Sequence, residues 1–509
     1  MMESVLNKGT PAGLGVDKAY DVVVVGGGVA GAHTAMAVAR FSKGRLSILL
    51  IDRNSAEEFG KKTRMGWSCG DAVSKKSMDF VCSNLGISYG HPEIEHKVDG
   101  VLVYSPDHES KVLFDGDGYI LNRKVWASRQ LEYLEKFGVE VRHGVDAHSL
   151  IASDGYIRGV RCKDLSTGED MEFYAKVVVD ASGSASKLRT NLPIQSYIER
   201  EIDKENDVIG TGRYIVEFER GEDDPTWFDP RYCIIHLDQV MAPGGYSWVF
   251  PKGENKANIG LGVLRRLLKQ RNARLGVDEN LQDLIEKYLS LNRAVRNPRP
   301  SSSPLDENNI FNIWQVPVRR QNDCLVANGF AIIGDAAWMP RPIDAGGIGP
   351  ALEASIILGR HLVEAIEMGD VSQAGLWRYN VEYVRRRGYQ MASFEVLRRY
   401  LQGLSNERIS FGMKYFLSQE DVESIKRREH PRFPLLTSLM RYLLDGSLRR
   451  KIREDPELAK GLRLTAEKSR RLITLYGQYP EEPSGFEKWH KRFLAELNDA
   501  YRRLSPQTV

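Results

Sequence analysis

The sequence predicts an α/β protein with a Rossmann-type nucleotide-binding domain, an antiparallel-sheet second domain and a helical carboxy-terminal extension. Three observations carry this. Near the amino terminus an apolar run, Val22 to Val25, leads into Gly26-Gly27-Gly28-Val29-Ala30-Gly31 and then an Ala-rich helical stretch. Between about Tyr197 and Val316 the pattern changes to apolar/polar alternation, as in half-buried antiparallel strands. Beyond about Trp377 it turns helical with charged faces.

The first element reads as a buried parallel strand, because a strand covered on both faces needs no alternation. Each glycine of its G-x-G-x-x-G turn has a distinct reason to be there. Gly26 makes the tight turn, Gly28 lets backbone approach a pyrophosphate, and Gly31 lets helix and strand pack closely. The helix start adds N–H donors and a positive dipole end. A second apolar run, Leu46 to Ile51, ends in Asp52-Arg53, which places Asp52 to accept from an adenosine ribose hydroxyl, with Arg53 beside it.

A Gly-, Lys- and Ser-rich loop follows, from Phe59 to Lys76, and then a helix over Val73 to Leu85. Strand-like runs come at Gly100 to Tyr104 and Lys111 to Phe114, a helix over Lys124 to Phe137, a strand at Gly138 to Arg142 and a hairpin from about Ser149 to Tyr174. An apolar strand, Ala175 to Val179, ends in Asp180. In the alternating region the candidate strands are Tyr214 to Phe218, Tyr232 to His236, Tyr246 to Phe250 and Ala257 to Gly260, interrupted by a helix over Leu281 to Leu291. At Phe330 the first domain resumes with a short strand, Gly334-Asp335, a Pro- and Gly-rich loop and a helix over Gly349 to Met368. The expected organisation is a flexible leader over 1–18, a discontinuous cofactor domain over 19–196 and 330–376, a sheet domain over 197–329 and helices over 377–509.

Composition narrows the function classes. With 509 residues the chain can bury two or three cores, and a net charge of +3 gives no argument for nucleic acid. No run approaches a membrane span, and the leader has no apolar stretch of the secretory kind. The five cysteines are scattered without a C-x-x-C pair and the ten histidines form no metal-like cluster, so no metal site is expected and a reducing compartment is favoured, though an isolated disulfide stays open. From residue 401 on, 21 Lys/Arg stand against 15 Asp/Glu; a solvated helical face is the plainer reading and contact with anionic lipid the sharper one.

Four stations now stand in order: GGGVAG, Arg123 at the start of a mid-domain helix, VVVDASGSASKLR, and AIIGDAAWMPRPIDAGGIGPALEAS. Together they resemble the FAD proteins of the para-hydroxybenzoate hydroxylase-like group. The resemblance implies that Asp335, after Gly334, accepts from a ribityl hydroxyl, that Arg123 contacts the pyrophosphate or adenine side, and that the Gly346-Gly347-Ile348 helix start faces the flavin pyrimidine edge and stabilises its reduced anion. Within that group, YSWVFPKGENKANIGLG is similar to the substrate motif of the geranylgeranyl reductase family. That similarity implies substrate contacts at Tyr246, Trp248, Phe250, Pro251, Gly260 and Gly262, and a flavin-facing Cys69-Gly70 loop. The chain departs from the pattern at Trp338, where many relatives carry a small residue, at Asp344-Ala345-Gly346-Gly347 in place of Thr-Gly-x-Gly, and before Cys69, which lacks a Cys-Gly-Gly run.

The resemblance therefore implies an FAD-dependent reductase that saturates the C=C bonds of geranylgeranyl chains, on an isoprenoid lipid or a prenyl diphosphate precursor. An isolated prenyl double bond has no carbonyl to polarise it, so the alkene must be aligned over flavin N5 and protonated at its other carbon. Cys69 and solvent water both stand as proton donors. With no second G-x-G-x-x-G in a strand–helix setting, electrons are expected from a carrier such as ferredoxin or from transiently docked NAD(P)H. The expected location is cytoplasmic, peripheral at the membrane surface. Two rival readings are a flavin monooxygenase or halogenase acting on an aromatic, and a non-catalytic flavoprotein that binds lipid or a partner.

Overall fold

A computed structural model describes residues 19–63, 66–303, 306, 311–417, 450–451 and 453–504. The 1–18 leader and part of the basic carboxy-terminal region lie outside the described residues.

The first sheet has eight strands. Tyr20–Val25 runs parallel to Ile48–Ile51 on one side and to Asp170–Asp180 on the other, so that Val23 sits between Leu49 and Val178. Glu140–Arg142 extends one edge, and Phe330–Ile332 with Val326–Ala327 forms the other. A hairpin, Val145–Ser153 with Tyr156–Asp164, continues from Asp170–Asp180. Val22, Val23 and Val24 are fully buried, as an all-apolar strand covered on both faces requires. The helices Val29–Phe41 and Ile348–Glu367 cross so closely that a Cβ at Gly359 would lie 2.4 Å from Ala37 Cβ.

The second sheet has nine strands, eight of them in the spatial order Val295–Pro300, Val208–Arg220, Lys256–Leu264, Ser247–Pro251, Tyr232–His236, Ile94–Tyr104, Lys111–Leu121 and Ala72–Ser74; Asn312–Pro317 also pairs with Val208–Arg220. The expected boundaries need adjustment here. Ala72–Ser74, Ile94–Tyr104 and Lys111–Leu121, read as part of the first domain, belong to this sheet because Ile94–Tyr104 pairs in parallel with Tyr232–His236. Val326–Ala327, read as part of the second, belongs to the first sheet. The helix Leu281–Leu291 carries a full capping box, Asn280 with Asp283, and buries Leu284, Ile285 and Tyr288 against the outer face of the second sheet.

The carboxy-terminal part is helical, as expected: Gln373–Tyr383, Tyr389–Leu401, Asn406–Tyr415, Pro456–Gly477 and Phe486–Leu504, the first two joined through a π-helical turn, Val384–Gly388. The last helix buries Phe486, Trp489, Phe493, Leu497, Ala500 and Leu504, a single stripe at three- and four-residue spacing. This extension is fastened to the first domain at Asp323. That carboxylate is wholly buried and receives hydrogen bonds from Tyr476 Oη at 2.6 Å and Arg320 Nη2 at 2.7 Å, and His490 Nε2 lies 3.2 Å away.

Candidate active site

The nucleotide turn is built as the glycine spacing requires. Gly26 sits at φ +107°, and a Cβ at Gly31 would lie 1.9 Å from the Gly26 carbonyl oxygen, so helix and turn touch backbone to backbone. A Cβ at Gly28, by contrast, would meet nothing within 4 Å. This open cradle at the start of Val29–Phe41 is where a pyrophosphate fits.

Arg123 begins the helix Arg123–Lys136, capped by Asn122, and lies 5.5 Å from the Trp126 ring centroid. Its side chain is buried, and its Nε has no hydrogen-bond partner among the described residues. Burial, aided by Arg123, pushes nearby His33 down to about 4, so His33 is neutral at physiological pH and adds no positive charge there. A buried guanidinium with an orphaned donor is what an anionic cofactor would satisfy.

Asp52 departs from its expected part. Its Oδ2 accepts from Gly27 N at 2.9 Å and Gly60 N at 3.1 Å, and its Oδ1 accepts from the Asn54 backbone and side chain, both at 2.8 Å. Both oxygens are thus engaged in clamping the loop after the second strand onto the glycine turn. Burial, the largest effect on this carboxyl, raises its pKa against these hydrogen bonds. Arg53 is exposed and donates to the Lys62 carbonyl at 3.0 Å.

Asp335 lies in a short turn, Gly334–Ala337, with Lys62 Nζ 3.6 Å from its Oδ2. A Cβ at Gly334 would stand 2.7 Å from Ala30 Cβ, and one at Gly347 3.4 Å from Asp335 Oδ1. Gly28, Asp335 and the Gly346-Gly347-Ile348 helix start therefore follow one another along a single corridor. The altered loop holds itself together, with Asp344 Oδ1 accepting from Gly346 N and Arg341 Nε, each at 3.0 Å, and Ala345 at φ +54°. Trp338, another departure, is fully buried, with the guanidiniums of Arg189 and Arg319 4.7 and 4.3 Å from its ring.

The inner face of the second sheet meets this corridor. Tyr246, Trp248 and Phe250 share that face with Val101, Val103, Cys233 and Ile235, giving one apolar surface. Gly260 lies opposite Trp248, and a Cβ there would fall 2.5 Å from the indole, so the first glycine of the G-x-G gives the ring its room. Gly262 N donates to the Tyr246 carbonyl, and Pro251 ends the strand beside Ala257. At one end of this face Tyr246 Oη donates to the Asp344 carbonyl at 2.6 Å. At the other, the Cys69-Gly70 loop covers Phe250, and a Cβ at Gly70 would lie 3.1 Å from that ring. Cys69 is a half-buried free thiol whose carbonyl accepts from Asn258 Nδ2 at 2.8 Å and Arg213 Nε at 3.3 Å. Sequence reasoning overlooked Asn258 and Arg213. The period-two pattern puts both on the Trp248 face, a signal hidden by the more conspicuous aromatics and glycines.

Similar folds occur in a geranylgeranyl bacteriochlorophyll reductase-like protein from Thermoplasma acidophilum (TM-score 0.66, 22% identity, 88% of this chain and 99% of that one) and in a myxobacterial chondrochloren halogenase (TM-score 0.58, 19% identity, 75% and 82%). At these identities they show the fold alone. A family model described as the geranylgeranyl reductase catalytic domain matches residues 215–296, which include the whole Tyr246 to Gly262 block. A digeranylgeranylglycerophospholipid reductase from Sulfolobus acidocaldarius is 31% identical over 488 residues, covering 96% of this chain and 99% of that protein. This chain belongs to the geranylgeranyl reductase family. A relative of the same designation from Methanosarcina acetivorans is 32% identical over 363 residues, 69% of this chain and 77% of that one. As a geranylgeranyl reductase family member the protein is an FAD-dependent oxidoreductase acting on CH–CH bonds, and the open cradle at Gly28 and the orphaned Arg123 Nε fit that cofactor.

Proposed function

We propose that this enzyme saturates isolated double bonds of geranylgeranyl chains carried on a glycerophospholipid, with the prenyl diphosphate precursor as a second substrate form. The observation that carries this reading is the apolar inner face of the second sheet, Val101, Val103, Cys233, Ile235, Trp248 and Phe250, pressed between the Cys69-Gly70 loop and the loop at Asp344. A hydrocarbon chain gains roughly 0.8 kcal/mol for each CH₂ it buries on such a surface.

When bound and reduced, FAD supplies the hydride for one alkene carbon. The protein supplies everything else. Tyr246, Trp248 and Phe250 hold the chain flat, which fixes the alkene and keeps water out. The Cys69 thiol gives its proton to the second carbon, and solvent returns a proton to the thiolate. Arg123 and the helix start at Val29 hold the pyrophosphate of the cofactor, Asp335 the ribityl chain, and the Ile348 helix start the pyrimidine edge.

Electrons arrive from a carrier such as ferredoxin or from transiently docked NAD(P)H. No described helix is long and apolar enough to cross a membrane. The basic carboxy-terminal region, 21 Lys/Arg against 15 Asp/Glu, is proposed to rest peripherally on anionic lipid from the cytoplasmic side. Mass spectrometry of material co-purifying with the yellow protein tests the substrate class. Isoprenoid lipids with partly saturated chains are expected; an aromatic metabolite with no isoprenoid would overturn the reading.

A further inference from the structure

Asn258 is fully buried and stands beside Phe250 in the strand register. Its Nδ2 donates to the Cys69 carbonyl at 2.8 Å and to Asp71 Oδ2 at 2.9 Å, and its Oδ1 accepts from Trp248 Nε1 at 2.9 Å. One amide thus holds both ends of the Cys69-Gly70-Asp71 tripeptide and, through its other end, the indole of the aromatic wall. Asp71 sits at φ +67°, a left-handed conformation that L side chains rarely adopt and that persists where its surroundings enforce it. The enforcement is visible. Lys252, buried with its Nζ 3.2 Å from Asp71 Oδ2 and 2.9 Å from Glu95 Oε2, also donates to the Leu121 carbonyl at 2.8 Å. Burial works to lower the pKa of this ammonium, but Asp71 and Glu95 outweigh it, so Lys252 stays a cation.

We propose that Asn258 is a positioning residue for the reduction: it locks the Cys69-Gly70-Asp71 loop to the Trp248 indole, so that the thiol and the aromatic wall keep one fixed spacing. The inference rests on the reading above, in which that strand is the alkene wall and Cys69 the proton donor. The hydrogen bonds of the Asn258 side chain go to Cys69, Asp71 and Trp248. It acts through the loop on one side and the indole on the other, and its loss should therefore change geometry more than binding.

The test follows Cys69 itself. Iodoacetamide labelling of the FAD holoenzyme is mapped by mass spectrometry, with Cys162 and Cys324, buried in the first core away from this wall, as internal controls. In Asn258→Ala and Asn258→Asp, Cys69 should label about tenfold faster than in the native protein, the scale expected when a loop loses two hydrogen bonds, while the controls stay silent. On prenyl lipid, kcat should fall about 100-fold, as for a reacting group displaced by about 1 Å, with a much smaller change in KM. An unchanged Cys69 rate, or all three cysteines labelling together, would overturn the proposal. Should the Asn258 variants not fold, Trp248→Phe keeps an aromatic ring on the strand while removing the Nε1 donor to Asn258, and should raise Cys69 labelling about threefold; no rise there would equally overturn it. The labelling needs no substrate, so it fails or succeeds independently of whether the enzyme reduces a prenyl chain.

Discussion

The Tyr246 hydroxyl donates to the backbone carbonyl of Asp344 at 2.6 Å, joining the aromatic strand of the second sheet to the loop that opens the Ile348–Glu367 helix. The aromatic strand of the second sheet and the loop before the Ile348 helix are thereby held in register. Burial raises the pKa of this phenol, with Asp344 adding to the rise, so Tyr246 remains a hydrogen-bond donor across the physiological range.

Tyr246→Phe should therefore destabilise the protein by about 1 kcal/mol, the value of one buried neutral hydrogen bond. Denaturant unfolding of the holoenzyme checks this. Unchanged stability would mean that the strand and loop are held together without this contact.

Gly28→Val should yield colourless protein, because its side chain would fill the open cradle at the helix start. Flavin absorbance after reconstitution and desalting reads the result. Retained colour at native stoichiometry would place the pyrophosphate elsewhere.

Trp248→Ala should weaken binding of a long prenyl chain by about 2 kcal/mol or more, through lost aromatic burial. FAD should remain bound, because this strand lies in the second sheet. Equilibrium binding of a prenyl lipid to the variant measures the first effect and the flavin spectrum the second. Native affinity in the variant would remove Trp248 from the chain-binding wall.

Docking of the carboxy-terminal helices should depend on pH. Burial works to raise the Asp323 carboxyl, but Arg320 and His490 outweigh it and hold that group well below the ordinary carboxylate range. A depressed carboxyl contributes stability above its unfolded pKa, near 3.9, and loses it as pH falls toward the folded value. The helices should stay docked at neutral pH and loosen below about pH 4, which proteolysis of the extension would report. Asp323→Asn should cost about 3 kcal/mol, the low end for a broken buried pair. Arg320 keeps Glu395 at 3.5 Å and Glu199 at 3.6 Å, which softens the loss.

The glycine turns around the candidate cofactor site were legible in the sequence because each is built from a few contiguous residues. Gly26 to Gly31 and Gly334 to Ile348 dictate their own backbone geometry, and a turn that needs glycine announces itself locally. The aromatic strand was legible for the same reason. What failed was whatever depends on partners far along the chain. Ile94–Tyr104 joins the second sheet only because Tyr232–His236 pairs beside it, and no local periodicity records that register. Asp52 looked like a ribose ligand by position, yet Gly27, Gly60 and Asn54 occupy both its oxygens. Asn258 was hidden inside the Tyr246 to Gly262 block, its importance fixed by Cys69 and Asp71 from another part of the sequence.

Anaerobic single turnover tests the proposed reduction most directly. Dithionite-reduced protein is mixed under argon with a geranylgeranyl glycerophospholipid, and the lipid is weighed by mass spectrometry. The lipid should gain two hydrogens per double bond reduced, slowed strongly in Cys69→Ser while flavin reduction by dithionite is little changed. An untouched lipid under argon, together with oxygen-dependent hydroxylation or halogenation of an aromatic, would contradict the assignment.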